Sequence, residues 1–258
     1  MSSNLAYPTK RVTSRGSFLL KMYKAIFIDI DDTILDYISC CREAFDAALE
    51  ALHEPTSDAL FDLFFSISGR LFSEAKHGLH TVAEVMELYP KEFVERMNEL
   101  TNERVSEIEE ERMIDTFKHA FRAAWGKTHT LVPDAKETLE TLHQKGYKLY
   151  AASNSFGHLQ RSRLQHAGVL SFFEDTYISM DIGYDKPDIR FYQEALRRCG
   201  LQPQDVLMVG DSMTTDILGA QAAGITSVFF DRRGEGISGL EVSELRIIQS
   251  LPELLTFL

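Results

Sequence analysis

Residues 24–35 read Lys24-Ala25-Ile26-Phe27-Ile28-Asp29-Ile30-Asp31-Asp32-Thr33-Ile34-Leu35, and this stretch decides the fold. The apolar run from Ala25 to Ile28 is short and rich in β-branched and aromatic residues, the pattern of a strand buried on both faces. It ends abruptly in three carboxylates, which are costly at the exit of a buried strand unless a cation balances them. Side chains two apart on an extended chain point the same way, so Asp29 and Asp31 project together from the strand's carboxyl end. In open α/β sheets that edge is where ligands bind. A paired-Asp site there suggests a divalent metal, general acid/base chemistry, or both.

Downstream the pattern is helical. Ala44, Phe45, Ala48, Leu49 and Leu52 recur at helical spacing, as do Leu60, Leu63, Phe64, Ile67 and Leu71. Val82, Val85, Met86, Phe93, Val94 and Met97 predict a third helix and a fourth, broken near Pro90. Ile108, Met113, Ile114, Phe117 and Phe121 predict another. No strand signal interrupts residues 39–127, so a helical block over 38–127 is inserted into a core made of 23–37 and 128–258. From Leu131 helix and strand alternate. Strands are predicted over 148–152, 176–179, 205–209 and 226–230, each β-α unit punctuated by Gly146, Gly168, Gly200 or Gly224. Repeated β-α units imply an α/β fold with a doubly wound parallel sheet.

Three more polar clusters sit where the first does, at strand ends or the loops after them. They are Ser153-Asn154, Lys186 before a Pro-initiated helix, and Gly210-Asp211 with Asp216 in the next turn. Parallel strands bring these loops to one edge of the sheet. Four carboxylates and one lysine need a cation, and hard oxygen ligands in small number favour Mg²⁺. Lysine, hydroxyl and a helix amino end beside that ion suit a dianionic phosphate. An ionised carboxylate can act as nucleophile without a separate base, and a second one two residues on can protonate the leaving oxygen. The reaction this set suggests is phosphoryl transfer to Asp29 and hydrolysis of the aspartyl phosphate.

Asp29-Ile30-Asp31-Asp32-Thr33, Ser153, Lys186-Pro187 and Gly210-Asp211-Ser212 with Asp216 resemble, in order, the four motifs of the haloacid dehalogenase superfamily. The resemblance covers residues 22–258. It implies that Asp29 is nucleophile and Mg²⁺ ligand, and that Asp31 is general acid/base with its carbonyl on the metal. Ser153 and Asn154 would hold phosphoryl oxygens, Lys186 would balance charge, and Asp211 would bind the metal directly. Asp216 would be either a direct ligand or an outer-shell partner. The helical block resembles the C1-type cap of this superfamily. Residues 182–188 and 210–217 look most like the non-canonical pyrimidine 5′-nucleotidase branch. The second Asp, Asp31, is absent from the superfamily's dehalogenases and points to a phosphatase. The substrate so implied is a small phosphorylated metabolite, a pyrimidine nucleoside monophosphate first. A sugar-phosphate phosphatase, such as one for acylneuraminate 9-phosphate, is the alternative, with a mutase or an idle scaffold behind it.

Other features bound the reading. The chain has 258 residues, a net charge of −12 and no basic stripe, which argues against a nucleic acid polymer as partner. No apolar run approaches the ~18 residues of a membrane span. Cys40, Cys41 and Cys199 form no disulfide framework, which suits a reducing, cytoplasmic setting; a monomer or homodimer is expected. Residues 1–22 are basic and Ser-rich and read as a disordered leader. His77 and His80 read as surface residues, Trp125 and the Phe-rich helix faces as core, and Cys40-Cys41 as buried filler. Asp36, Tyr37, Arg70 and His77 are candidates for the pocket entrance.

Overall fold

The computed structural model describes residues 23–101, 105–234 and 245–258. The leader expected over 1–22 lies outside the described residues. Strand β1 (Ala25–Ile28) is the centre of a six-stranded parallel sheet. Its neighbours are β2 (Lys148–Ser153) and β4 (Val206–Gly210), and the order is β3-β2-β1-β4-β5-β6. The outer strands are β3 (Phe173–Ile178), β5 (Thr226–Phe230) and β6 (Arg246–Ile248). The strand order reverses between β1 and β4, which makes the crevice at their carboxyl ends the ligand-binding edge. Ile28 pairs with Ala151 and with Val209, so Asp29, Ser153 and Gly210 leave the sheet at that edge.

Alternation explains why β1 is apolar throughout. Ile26 and Ile28 face one side of the sheet, in a core continuous with that of the helical insertion. Ala25 and Phe27 face the other, where Phe27 lies 5.7 Å from Tyr150 and 5.5 Å from Tyr177, ring to ring.

Four helices are inserted after β1: α1 (Tyr37–Leu52), α2 (Asp58–Lys76), α3 (Val82–Thr101) and α4 (Glu107–Trp125). Local chemistry starts three of them. Asp36, Ser57 and Ser106 accept the orphan N–H of Ser39, Leu60 and Glu109. Their apolar stripes meet in an aromatic core. Phe93 and Phe117 are 4.9 Å apart, Phe45 and Phe64 5.1 Å, and Phe64 and Phe121 5.3 Å. Each such buried ring contributes about 1.5–3 kcal/mol by burial.

The break expected near Pro90 does not occur. Helix α3 runs through it as one element. Pro90 lacks the N–H that would serve the Met86 carbonyl four residues back, and Arg122 of α4 donates to that oxygen at 3.0 Å instead.

The rest of the core follows the expected order. Helix α5 (Ala135–Gln144) precedes β2, and α6 (Gly157–His166) leads to β3. The short α7 (Ser179–Ile182) and then α8 (Ile189–Cys199) lead to β4. After β4 come a π-helical turn, Met213–Leu218, and α9 (Gly219–Ala222). Strand β3 starts three residues before its expected position, because Glu174 and Asp175 are exposed on it and break the apolar pattern. Strand β6 gave no signal: of its three residues only Ile248 is buried. No described helix is long and apolar enough to cross a membrane.

Candidate active site

Lys186 is the hub of the site. Its ammonium donates to Asp29 Oδ1 at 2.6 Å, to Asp216 Oδ1 at 2.6 Å and to the Ala152 carbonyl at 2.8 Å. All three N–H groups are therefore spent in a buried environment. Burial alone would lower the lysine's pKa, but Asp216 and Asp29 outweigh it and hold the group above its ordinary range. Burial pushes the Asp29 carboxyl up to about 7, against the opposing pull of Lys186 and with Asp216 adding to the rise. One ammonium thus serves two buried carboxylates, and the site is short of positive charge.

Asp211 and Asp216 come from the loop and π-helical turn after β4. Oxygens of Asp29, Asp211 and Asp216 lie within 4.8 Å of one another, and among the described residues this is the group placed to hold a metal ion. An all-oxygen carboxylate set fits a hard divalent cation. Asp216 is buried and fully engaged: Oδ1 takes Lys186, and Oδ2 takes the Ser212 N–H at 3.0 Å. Gly210 permits this close approach, since a Cβ there would stand 2.3 Å from Asp216 Oδ2.

Asn154 closes a two-way clasp on the lysine's backbone. It donates to the Lys186 carbonyl and accepts the Lys186 N–H, both at 2.7 Å. Its side chain thus fixes the lysine loop and keeps one amide N–H beyond the clasp, at a residue that lines the cavity. Ser153 is buried at the end of β2, and its hydroxyl accepts from Gln160 at 3.0 Å.

Asp31 lines the same cavity. Its Oδ2 accepts from Gln160 at 2.7 Å and its Oδ1 from Arg163 at 2.6 Å. Sequence reasoning missed Gln160 and Arg163. They share a face of α6 at a spacing of three, but a buried arginine has no signature in a hydrophobic pattern. Asp32, at φ 59°, also lines the cavity and pairs with Arg232 at 3.0 Å and Arg233 at 2.7 Å, two further residues the sequence did not flag.

These groups floor a cavity of about 370 Å³. Its opposite wall is the helical insertion: Phe64, Phe72, Met86, Tyr89, Phe121 and Trp125, with Tyr37, Ser68, Ser73 and Arg122. Trp125 and its neighbours are buried, as expected, and they also present a surface to this cavity. Of the candidate entrance residues, Tyr37 lines it. Asp36 instead caps α1 and pairs with Arg232 at 2.7 Å. Arg70 is engaged by Glu74 and Glu92, and the His77 ring by the Ser73 carbonyl. Cys40 and Cys41 are buried and unbridged.

Contacts between the insertion and the core border the cavity. The Val82 N–H, at the start of α3, donates to Asp185 at 3.2 Å. The Arg122 guanidinium lies 5.4 Å from the Phe156 ring centre, and that of Arg163 lies 3.8 Å from Trp125's.

A doubly wound parallel sheet with acidic loops at its switch point and a helical insertion over them is an α/β architecture whose ligand edge lies beneath the insertion. The chain belongs to the haloacid dehalogenase-like hydrolases, whose family pattern matches residues 23–224. Among similar proteins, glyceraldehyde 3-phosphate phosphatase of Methanothermobacter thermautotrophicus is 31% identical, over 91% of this chain and 100% of its own length. Pyrimidine 5′-nucleotidase PynA of Streptococcus pneumoniae is 28% identical, over 81% of this chain and 84% of its own. In fold, the chain matches the magnesium-bound HAD-hydrolase YfnB of Bacillus subtilis with a TM-score of 0.80 at 24% identity, covering 91% of this chain and 98% of that one.

Proposed function

We propose that the protein is a Mg²⁺-dependent phosphomonoesterase that works through an aspartyl phosphate on Asp29 and acts on nucleoside 5′-monophosphates, pyrimidine ones first. The observation that carries the substrate reading is the contrast between the two walls of the cavity. The floor is acidic and lysine-balanced, whereas the roof is aromatic. The planar base of a nucleoside leaving group fits beside rings such as Phe64, Tyr89 and Trp125. Ser68, Ser73 and Arg122 beside those rings offer polar partners to the sugar that carries the phosphate.

Each residue then has a role. Asp29 Oδ attacks phosphorus, the bond to the leaving oxygen breaks, and Asp31 gives that oxygen its proton. Asp31 next takes a proton from the water that hydrolyses the aspartyl phosphate. Lys186 neutralises Asp29 and the transferring group, and Ser153 offers its hydroxyl to a phosphoryl oxygen. Asn154 fixes the lysine loop. Asp29, Asp211 and the Asp31 carbonyl would hold Mg²⁺, with Asp216 in the outer shell because its oxygens are committed to Lys186 and Ser212. When bound, the ion supplies charge neutralisation for the phosphoryl oxygens.

A second reading, a sugar-phosphate phosphatase, is favoured by the full-length match to the glyceraldehyde 3-phosphate enzyme. Phosphate release from UMP, dUMP, dTMP, AMP and several sugar phosphates, with Mg²⁺ or chelator, separates the two. Release strongest on pyrimidine nucleotides supports the nucleotidase. Release confined to sugar phosphates keeps the mechanism and replaces the substrate.

A further inference from the structure

Arg163 is fully buried, yet it carries a charge into the interior. Its Nη1 donates to Asp31 Oδ1 at 2.6 Å and to Gln160 Oε1 at 2.8 Å, and its Nε to the Thr128 carbonyl at 3.4 Å. Its Nη2 has no hydrogen-bond partner. One face of the guanidinium lies on Trp125, the last residue of α4. Were this contact only a means of holding insertion to core, an uncharged chain of similar size would do it without the desolvation cost. The charge is accounted for by Asp31.

Gln160 completes the arrangement. Its amide nitrogen donates to Asp31 Oδ2 at 2.7 Å and to Ser153 Oγ at 3.0 Å, while its oxygen accepts from Arg163. Every polar group of the amide is used, which fixes which way it faces. Both oxygens of Asp31 are thus held by donors from one helix, at the wall of the cavity.

We propose that Gln160 and Arg163 are the positioning residues of Asp31, with Trp125 and the Thr128 carbonyl holding Arg163 in register. The proposal rests on the reading of Asp31 as the proton donor. In the step concerned, the Asp29 oxygen bonds to phosphorus, the ester P–O bond breaks, and the electron pair leaves with the ester oxygen. Asp31 transfers its proton to that oxygen. The aim of the donor is therefore set from α6, and by the point where the insertion's last helix returns to the core.

A positioning role has a signature that loss of structure lacks. An alkyl ester releases an alkoxide that needs the proton, whereas 4-nitrophenyl phosphate releases a phenolate that does not. The constant kcat/KM reports steps only up to departure of the alcohol, so later hydrolysis does not enter. General acid catalysis supplies roughly 10²–10⁴-fold in rate. Gln160→Leu and Arg163→Lys should therefore lower kcat/KM for the best alkyl phosphate at least about tenfold more than for 4-nitrophenyl phosphate. Equal losses on the two esters in both variants would overturn the inference. Asp31→Asn is measured beside them. If it is selective for the alkyl ester and the two α6 variants are not, the positioning proposal alone fails. If it is itself unselective, the donor role of Asp31 fails and takes the proposal with it.

Discussion

Asp29 carries the electrostatic strain of the site. In the metal-free protein burial holds its carboxyl at about 7, against about 3.9 in an unfolded chain. The folded state therefore binds this proton more tightly, and the stability it contributes is present below pH ~4 and lost as pH rises towards 7. With chelator present, the melting temperature of the wild type should fall more steeply over that window than that of Asp29→Asn, and saturating Mg²⁺ should remove the difference. Superimposable profiles for the two proteins in chelator would contradict this. Gly210 makes a second test at one residue. Gly210→Ala puts a Cβ against the Asp216 carboxylate, so Asp216 must move off Lys186 or Ser212. Overpacking of this kind costs about 1–3 kcal/mol. The variant should unfold at lower denaturant and need more Mg²⁺ for half-maximal turnover, and unchanged Mg²⁺ dependence would count against the site as drawn.

The elements were legible in the sequence to the degree that each had a local cause. Strand β1 announced itself because it is apolar on both faces and stops at charges. The helices of the insertion announced themselves by their apolar stripes. Where a distant residue supplied the cause, the sequence misled. Pro90 reads as a break, and only the fold brings Arg122 of α4 to the carbonyl that Pro90 leaves open. Arg122→Met should therefore destabilise the protein by about 1–3 kcal/mol, the usual cost of a buried acceptor left unpaired. In a Pro90→Ala background the loss should shrink, because the restored N–H can serve Met86. Additive losses in that double-mutant cycle would show that the Arg122–Met86 bond does not compensate for the proline. Strand β6 and the acidic start of β3 escaped notice for the opposite reason, since edge strands bury too little to leave a pattern.

At the scale of the whole molecule, the polar cluster could be read because parallel topology brings every strand end to one edge. Asp29, Ser153, Lys186, Asp211 and Asp216 do converge. Gln160 and Arg163 could not be read, because their significance is a contact with Asp31 more than a hundred positions away. The cavity roof was equally hidden, since a buried aromatic residue looks the same whether it faces a core or a ligand. The insertion closes on the core partly through the Val82 N–H and Asp185. A bond to a charged acceptor contributes about 1.5–3 kcal/mol. If closure assembles the site, Asp185→Ala should lower kcat/KM roughly tenfold, the equivalent of about 1.4 kcal/mol, with the melting temperature little changed. A variant with full kcat/KM would remove that contact from the account.

The most direct test is to look for the covalent phosphate itself. The enzyme, with Mg²⁺ and its best monophosphate, is quenched in acid during turnover and its peptides are weighed. The account predicts one phosphoryl group on the peptide that contains Asp29, absent with chelator and absent in Asp29→Asn, which should also lose nearly all turnover. Steady turnover with the phosphoryl group on another residue, or with turnover retained in Asp29→Asn, would contradict it.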